Sequence, residues 1–259
     1  MFQHEFKKKF GQNFISDKNL LNAICQDAEL NENDEVLEIG AGAGALTEAI
    51  SQRAKKVVSY EIDKDLENHL LSLDFKNVKF VFGDILNFSI EEIEKDFQGP
   101  YKMIANLPYY ITTPIVFKFL NNSKKIQSLS IMVQKEVAER IVAKVGGKDY
   151  GVLSIMVQFY GDAEINRVVT RKMFHPQPNV DSAVVTIKIN REKYRDIDSE
   201  KFYEFVKTAF SMRRKTLRNN LNHNSYKIDN LSEEILAKRA ENFNLDQLIE
   251  IYLQIFKVF

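Results

Sequence analysis

The sequence predicts an α/β fold: a mostly parallel sheet covered by helices on both faces, followed by a small all-helical domain. Two observations predict it. Between residues 34 and 134, short runs rich in Val and Ile alternate with segments of helical spacing. Strands that are apolar on both faces belong in a sheet covered on both sides. Beyond residue 201 the apolar positions fall only at helical spacing.

In chain order, the expected strands are EVLEIG (35–40), KVVSYEID (56–63), VKFVFGD (78–84), KMIANLP (102–108) and LSIMVQ (129–134). Helical spacing occupies 44–52, 64–73, 113–120 and 135–144 between and after them. Residues 151–160 fit strand or helix, and helix is preferred. Strands at 163–170 and 180–189 follow one another directly, which points to an antiparallel edge finishing the sheet. The polar stretch 190–201 breaks the pattern. The expected division is therefore an α/β domain over 1–190 and a helical domain over 191–259. Within the second, Phe202, Phe205, Val206, Ala209 and Phe210 form one apolar stripe. Leu245, Leu248, Ile249, Tyr252, Leu253 and Phe256 form another. Both are core-facing patterns.

Of the 259 residues, 44% are hydrophobic and 28% charged, ordinary for a soluble globular protein. The amino terminus has no secretory apolar run, and no stretch approaches the ~18 apolar residues of a membrane span. A cytoplasmic protein without a membrane partner is expected, and the lone Cys25 argues against a disulfide scaffold. Nothing demands more than a monomer, and no metal is expected.

Formal charge is zero, from 36 basic and 36 acidic side chains, but the charges are segregated. Residues 205–228 contain no acid and six bases: Lys207, Arg213, Arg214, Lys215, Arg218 and Lys227. A second basic cluster lies between residues 167 and 195, and a third is Lys7, Lys8 and Lys9. Three clusters on a neutral chain favour a basic face suited to nucleic acid, with Arg213, Arg214, Lys215 and Arg218 as its expected contacts.

The first strand runs into Gly40-Ala41-Gly42-Ala43-Gly44 and then a helix. Glycines here let the backbone approach a ligand, and the helix start offers free N–H groups. Twenty-one residues after Gly40 the second strand ends at Glu61, whose carboxylate can accept from both ribose hydroxyls of a nucleoside cofactor. Gly40, Gly42 and Ala45 also fit the loose dinucleotide fingerprint, so these residues alone leave a dehydrogenase open. Two features separate the options. Asp84 follows the third strand, placed to accept an adenine amine. The fourth strand delivers Asn106-Leu107-Pro108-Tyr109, which fits the Asn/Asp/Ser-x-Pro-aromatic pattern of amino-directed methyltransferases.

That pattern has a chemical reason. An adenine amine is a poor nucleophile because its lone pair is delocalised into the ring. Accepting both of its N–H bonds, here on the Asn106 side chain and the Leu107 carbonyl, lets the nitrogen pyramidalise. Pro108 holds Leu107 extended, and Tyr109 offers a ring to stack on the base. Phe174, in the proline-stiffened FHPQPN loop, is a candidate second lid on a flipped base. His175 lacks an evident catalytic partner, and a structural role is preferred for it.

Taken together, FGQNF (10–14), EIGAGAGALT, GDIL, NLPYY, QKEVAERIVA, FHPQPNVDSAVV and FSMRRKTLRNNL resemble the KsgA/RsmA-type ribosomal RNA adenine dimethyltransferases along nearly the whole chain. The resemblance implies a Rossmann-like class I methyltransferase domain with a small C-terminal helical domain, using S-adenosyl-L-methionine. It implies N6,N6-dimethylation of two adjacent adenosines near the 3′ end of 16S ribosomal RNA within the small ribosomal subunit, linked to assembly. It also implies that the Asn13–Ile15 region closes over the cofactor, with Gly40, Glu61, Asp84 and Asn106 lining its pocket. Phe174 matches the position that stacks the target base. Ile15 stands where the family usually has Leu, and the neutral charge departs from the basic balance expected of such an enzyme. The alternatives are an Erm-type 23S ribosomal RNA adenine methyltransferase and a non-catalytic ribosome assembly factor.

Overall fold

The computed structural model describes residues 12–223 and 226–256. Lys7, Lys8, Lys9 and the Phe10-Gly11 start of the first motif lie outside the described residues. The chain divides into two compact units: Met1–Ala138 with Ala163–Ile189, and Glu139–Asp162 with Asn190–Phe259.

The first unit opens with β1 (Phe14–Ile15) and α1 (Lys18–Asp27). It continues with β2 (Glu35–Ile39), α2 (Ala45–Ser51), β3 (Lys56–Glu61), α3 (Glu67–Ser72), β4 (Val78–Phe82) and α4 (Ile90–Glu94). Next come β5 (Tyr101–Asn106), α5 (Thr112–Asn122), β6 (Ile126–Gln134) and α6 (Lys135–Ile141), whose last residues belong to the second unit. After α7 (Val152–Tyr160) the chain forms β7 (Gly161–Val169), β8 (Phe174–His175) and β9 (Ser182–Ile189).

Among the described residues the main sheet has seven strands in the order β4-β3-β2-β5-β6-β9-β7. β4, β3, β2, β5 and β6 are parallel, and β9 runs antiparallel to β6. The order reverses at β2: the chain steps outward through β3 to β4, then returns on the other side of β2 with β5. A crevice opens at such a reversal, beyond the carboxyl ends of the strands. All five residues of β2 are buried, as a central strand requires. The price is two buried carboxyls. Glu35 accepts from the Gln98 N–H at 2.8 Å, and Glu38 accepts from Ser59 Oγ at 2.5 Å and Thr47 Oγ1 at 2.6 Å.

Local patterning did not anticipate α1, α4 or the two-stranded β1–β8 ladder. Helix α1 is set by its cap, Asp17, which accepts from the Leu20 N–H at 2.8 Å, and it buries Leu21, Ile24 and Cys25. The ladder pairs Ile15 with Phe174 and Phe14 with His175. Two-residue strands have no period for a sequence to display.

The second unit contains α7 with α8 (Ser199–Ala209), α9 (Leu217–His223), α10 (Glu233–Ala237) and α11 (Leu245–Phe256). The domain boundary expected at 190 is therefore corrected, because 139–162 packs with the C-terminal helices. The reason is aromatic packing. Phe159 of α7 stacks on Phe202 at 5.0 Å and on Tyr194 at 5.5 Å, and Tyr252 meets Phe202 edge-on at 5.5 Å. Among the described residues no helix is long and apolar enough to cross a membrane.

Candidate active site

An open pocket of about 800 Å³ lies at the carboxyl ends of β2, β3 and β5. Asn13, Ile15, Gly40, Gly42, Glu61, Asn106, Leu107, Pro108 and Tyr109, all expected from sequence, line it. Asp84 lines an adjoining space of about 330 Å³ that shares Gly40, Ile62 and Pro108 with the first.

The glycine loop sits where its conformation demands glycine. Gly42 has φ +57°, and a Cβ there would lie 2.9 Å from the Phe14 ring. Gly44 precedes α2 at φ +87°, where a Cβ would meet Leu73 at 2.5 Å. The loop is fastened to Glu61, which is 4% exposed. One carboxylate oxygen accepts from the Gly42 N–H and the other from the Asp63 N–H, each at 2.8 Å. Each oxygen retains acceptor capacity for a ligand. Burial pushes the Glu61 carboxyl above its ordinary pKa, opposed by these backbone donors. Asp84 caps a 3-10 turn, Ile85–Asn87, by accepting from the Leu86 N–H at 2.9 Å through Oδ1.

Asn106 ends β5 beside this loop, and a Cβ on Gly40 would stand 3.5 Å from the Asn106 carbonyl oxygen. The Asn106 amide nitrogen donates to the Asn13 carbonyl at 3.0 Å. That bond commits the donor end of the amide and leaves Oδ1 as the acceptor end. Leu107 is 1% exposed, and its N–H donates to the Met132 carbonyl at 3.1 Å, tying the motif to β6. Pro108 adopts φ −57°, ψ 133°. The Tyr109 hydroxyl lies 2.7 Å from Ser182 Oγ, which pins the ring to the pocket wall.

Phe174 is 5% exposed and lines neither space, but it belongs to the apolar cluster containing Ile15, Ile24 and Leu46, three residues that do line the first. It pairs with Ile15 in the β1–β8 ladder. Sequence reasoning singled out neither Gln12 and Phe14 individually nor Ile62 and Tyr110, which all line these spaces. Ile62 and Tyr110 were findable, since they directly follow Glu61 and Tyr109.

In the second unit, Arg213, Arg214 and Lys215 are exposed and Arg218 is half-buried. Arg213 donates to the Lys148 carbonyl and lies 3.8 Å from Glu241, and Arg218 pairs with Glu233. Arg214 and Lys215 have no ion pair among the described residues. The 167–195 cluster is different: its bases divide between the two units and are mostly paired. Arg167 holds Asp27 through two bonds of 2.5 and 2.6 Å, and Lys188 pairs with Glu29 at 2.7 Å. Arg195 lies 3.5 Å from Glu192 and Lys193 3.6 Å from Asp246.

A glycine cradle, a buried acid on the next strand, Asp84 on the third and Asn-x-Pro-Tyr on the fourth define a class I, S-adenosyl-L-methionine-dependent methyltransferase. The matching family model, described as ribosomal RNA adenine dimethylase, covers residues 3–257. The chain belongs to the ribosomal RNA adenine dimethylase family. It is 43% identical over 261 residues to the ribosomal RNA small subunit methyltransferase A of Fusobacterium nucleatum, covering 96% of this chain and 97% of that one. The protein of the same description from Clostridioides difficile is 43% identical over 251 residues, covering 95% and 86%. Among solved structures, a dimethyladenosine transferase from Plasmodium falciparum superposes with a TM-score of 0.80 at 26% identity, covering 93% and 96%. The 23S rRNA methyltransferase ErmE shares the fold, with a TM-score of 0.68 at 24% identity, covering 94% and 99%.

Two expected results follow from the loop. Gly42→Ala forces a side chain into the left-handed region, at ~1–2 kcal/mol, and against the Phe14 ring. It should lower Tm and weaken S-adenosylhomocysteine binding about tenfold or more, and calorimetric titration checks this. Behind the loop, burial raises Glu38 to about 7, outweighing the Ser59 and Thr47 hydroxyls that stabilise its charge, and its Oε1 is buried without a partner. A raised carboxyl gives stability that is present below its unfolded value and lost as pH rises through the folded one. Glu38→Gln removes this titration. Its stability relative to the parent should therefore rise between pH 4.5 and about 7, by up to about 3 kcal/mol. Thermal melts across that window decide it; a pH-independent difference would mean that Glu38 does not titrate there.

Proposed function

We propose that this enzyme dimethylates N6 of two adjacent adenosines near the 3′ end of 16S ribosomal RNA within the small ribosomal subunit, as a cytoplasmic monomer acting during subunit assembly. The observation that carries the reading is Asn106-Leu107-Pro108-Tyr109 bordering the cofactor pocket, with the Asn106 amide set by Asn13. The names of the curated relatives support the choice of subunit.

Gly40 and Gly42 leave room for the cofactor, Glu61 accepts from its ribose, and Asp84 accepts from its adenine amine. When bound there, S-adenosyl-L-methionine would supply a sulfonium methyl group for N6, with one N6 proton passing to solvent and S-adenosylhomocysteine left as the co-product. Asn106 Oδ1 and the Leu107 carbonyl accept the two N–H bonds of the target amine, releasing its lone pair from the ring. Pro108 holds that carbonyl in place, and Tyr109 supplies the stacking face. The leaving group is already activated, so the side chains mainly position the reactants.

The 213–218 segment supplies the contacts to RNA phosphates. The pairs of Arg213 and Arg218 are partly exposed, so exchanging them for phosphate costs little. Arg214→Ala with Lys215→Ala should weaken RNA binding and flatten its log–log salt slope by roughly 1.4–1.8, with cofactor affinity unchanged. Binding titrations at several salt concentrations measure the slope; an unaltered one places the RNA face elsewhere.

The decisive experiment transfers labelled methyl groups to unmethylated small subunits, large subunits and bare RNA, followed by nucleoside analysis. Dimethyladenosine confined to small subunits is expected. Label on large-subunit RNA would make the enzyme an Erm-type methyltransferase, and cofactor binding with no transfer would make it an assembly factor.

A further inference from the structure

The Asp84 loop has a support that neither pocket contains, and its meaning rests on the cofactor reading of Asp84. The turn that Asp84 caps is three residues long. A turn so short gains few bonds for the torsions it fixes, and its carbonyls need partners from elsewhere. One side chain supplies them. Lys118 of α5 is half-buried, and its Nζ donates to the Ile85 and Leu86 carbonyls at 3.0 Å each and to the Phe88 carbonyl. An ammonium has three donors, and all three are spent on this one loop.

The loop is held from its other side by packing. Phe88 meets Tyr60 of β3 edge-on at 5.2 Å, and its ring would lie 3.1 Å from a Cβ on Gly83. Helix α5 begins at Thr112, directly after Asn106–Tyr109 and the 3-10 turn that follows. Lys118 therefore fastens the loop carrying Asp84 to the helix that continues the target-base motif. It lines neither cofactor space.

We propose that Lys118 is a positioning residue for the cofactor: by holding the carbonyls of Ile85, Leu86 and Phe88, it fixes the Asp84 carboxylate where it accepts the adenine amine. It acts through Asp84 and touches no reactant.

The test titrates S-adenosylhomocysteine and 5′-methylthioadenosine into Lys118→Met, Lys118→Arg, Asp84→Ala and the Lys118→Met/Asp84→Ala double variant. Steady-state methylation of small subunits by the same proteins is measured alongside. Lys118→Met should raise both Kd values and the KM for S-adenosyl-L-methionine about tenfold, with kcat within about threefold. Lys118→Arg should recover most of the loss, because a guanidinium also donates to carbonyls. The double variant should bind no more than twofold worse than Asp84→Ala alone. Additive losses, or a fall in kcat at unchanged KM, would overturn the proposal. Unchanged nucleoside affinity in Asp84→Ala would instead remove the underlying reading of the loop, whatever Lys118 does. Should Lys118→Met not fold, Lys118→Gln takes its place, and hydrogen exchange gives a readout independent of turnover. Faster exchange confined to residues 84–88 is expected; unchanged exchange there also overturns the proposal.

Discussion

Asn106→Ala should lower kcat by roughly ten- to a hundredfold, the loss expected when one hydrogen bond of ~1–3 kcal/mol disappears from the transition state. In the proposed mechanism the side-chain oxygen is the acceptor that frees the lone pair of the target amine, a contact that strengthens as the nitrogen pyramidalises. An interaction made mainly in the transition state appears in kcat more than in KM. The structure adds a second, smaller effect. The Asn106 amide nitrogen holds the Asn13 carbonyl at 3.0 Å, and Asn13 lines the cofactor pocket. Cofactor affinity should therefore fall as well, by about fivefold, the value of one neutral hydrogen bond. Single-turnover rates at saturating cofactor separate the two effects. Near-parental turnover would exclude the positioning role, and a loss confined to Kd would leave Asn106 as part of the cofactor wall only.

Glu61→Ala should weaken S-adenosyl-L-methionine and S-adenosylhomocysteine binding by on the order of a hundredfold. Two effects combine. The carboxylate holds the glycine loop through the Gly42 N–H at 2.8 Å, and hydrogen bonds to charged groups are worth ~1.5–3 kcal/mol. In the proposed cofactor site the same group accepts from the ribose hydroxyls. Alanine removes both and strands the Gly42 and Asp63 N–H groups in a site where Glu61 is 4% exposed. Glu61→Gln should fall between, because an amide offers one acceptor oxygen and turns a donor towards the other N–H. Calorimetric titration gives both values. An alanine variant that binds within threefold of the parent would remove Glu61 from the cofactor site.

Much of this site was legible in the sequence because it is assembled from strand ends. Gly40, Glu61, Asp84 and Asn106 each follow a run of β-branched residues, and parallel strands bring such positions to one edge. The residues that escaped notice carry no local mark. Gln12 and Phe14 line the pocket from a segment before the first strand of the main sheet, where no periodicity marks a role. The burial of Phe174 was not legible either, since a two-residue strand does not reveal which face is buried. Arg167 and Lys188 looked like part of a basic patch, yet their partners Asp27 and Glu29 lie more than a hundred residues away.

The sequence by itself determined the succession of main-sheet strands along the chain, the residues at their ends and the side-chain types placed there. These depend on torsional periods and side-chain types, which are local properties. Only the tertiary structure decided that β5 lies beside β2, so that Asn106 faces the glycine loop, and that α7 packs among the C-terminal aromatics. It also decided which bases are neutralised and which aromatic ring belongs to the core. Those outcomes depend on burial and charge pairing between segments far apart in the chain, and no local pattern records which distant partner each segment finds.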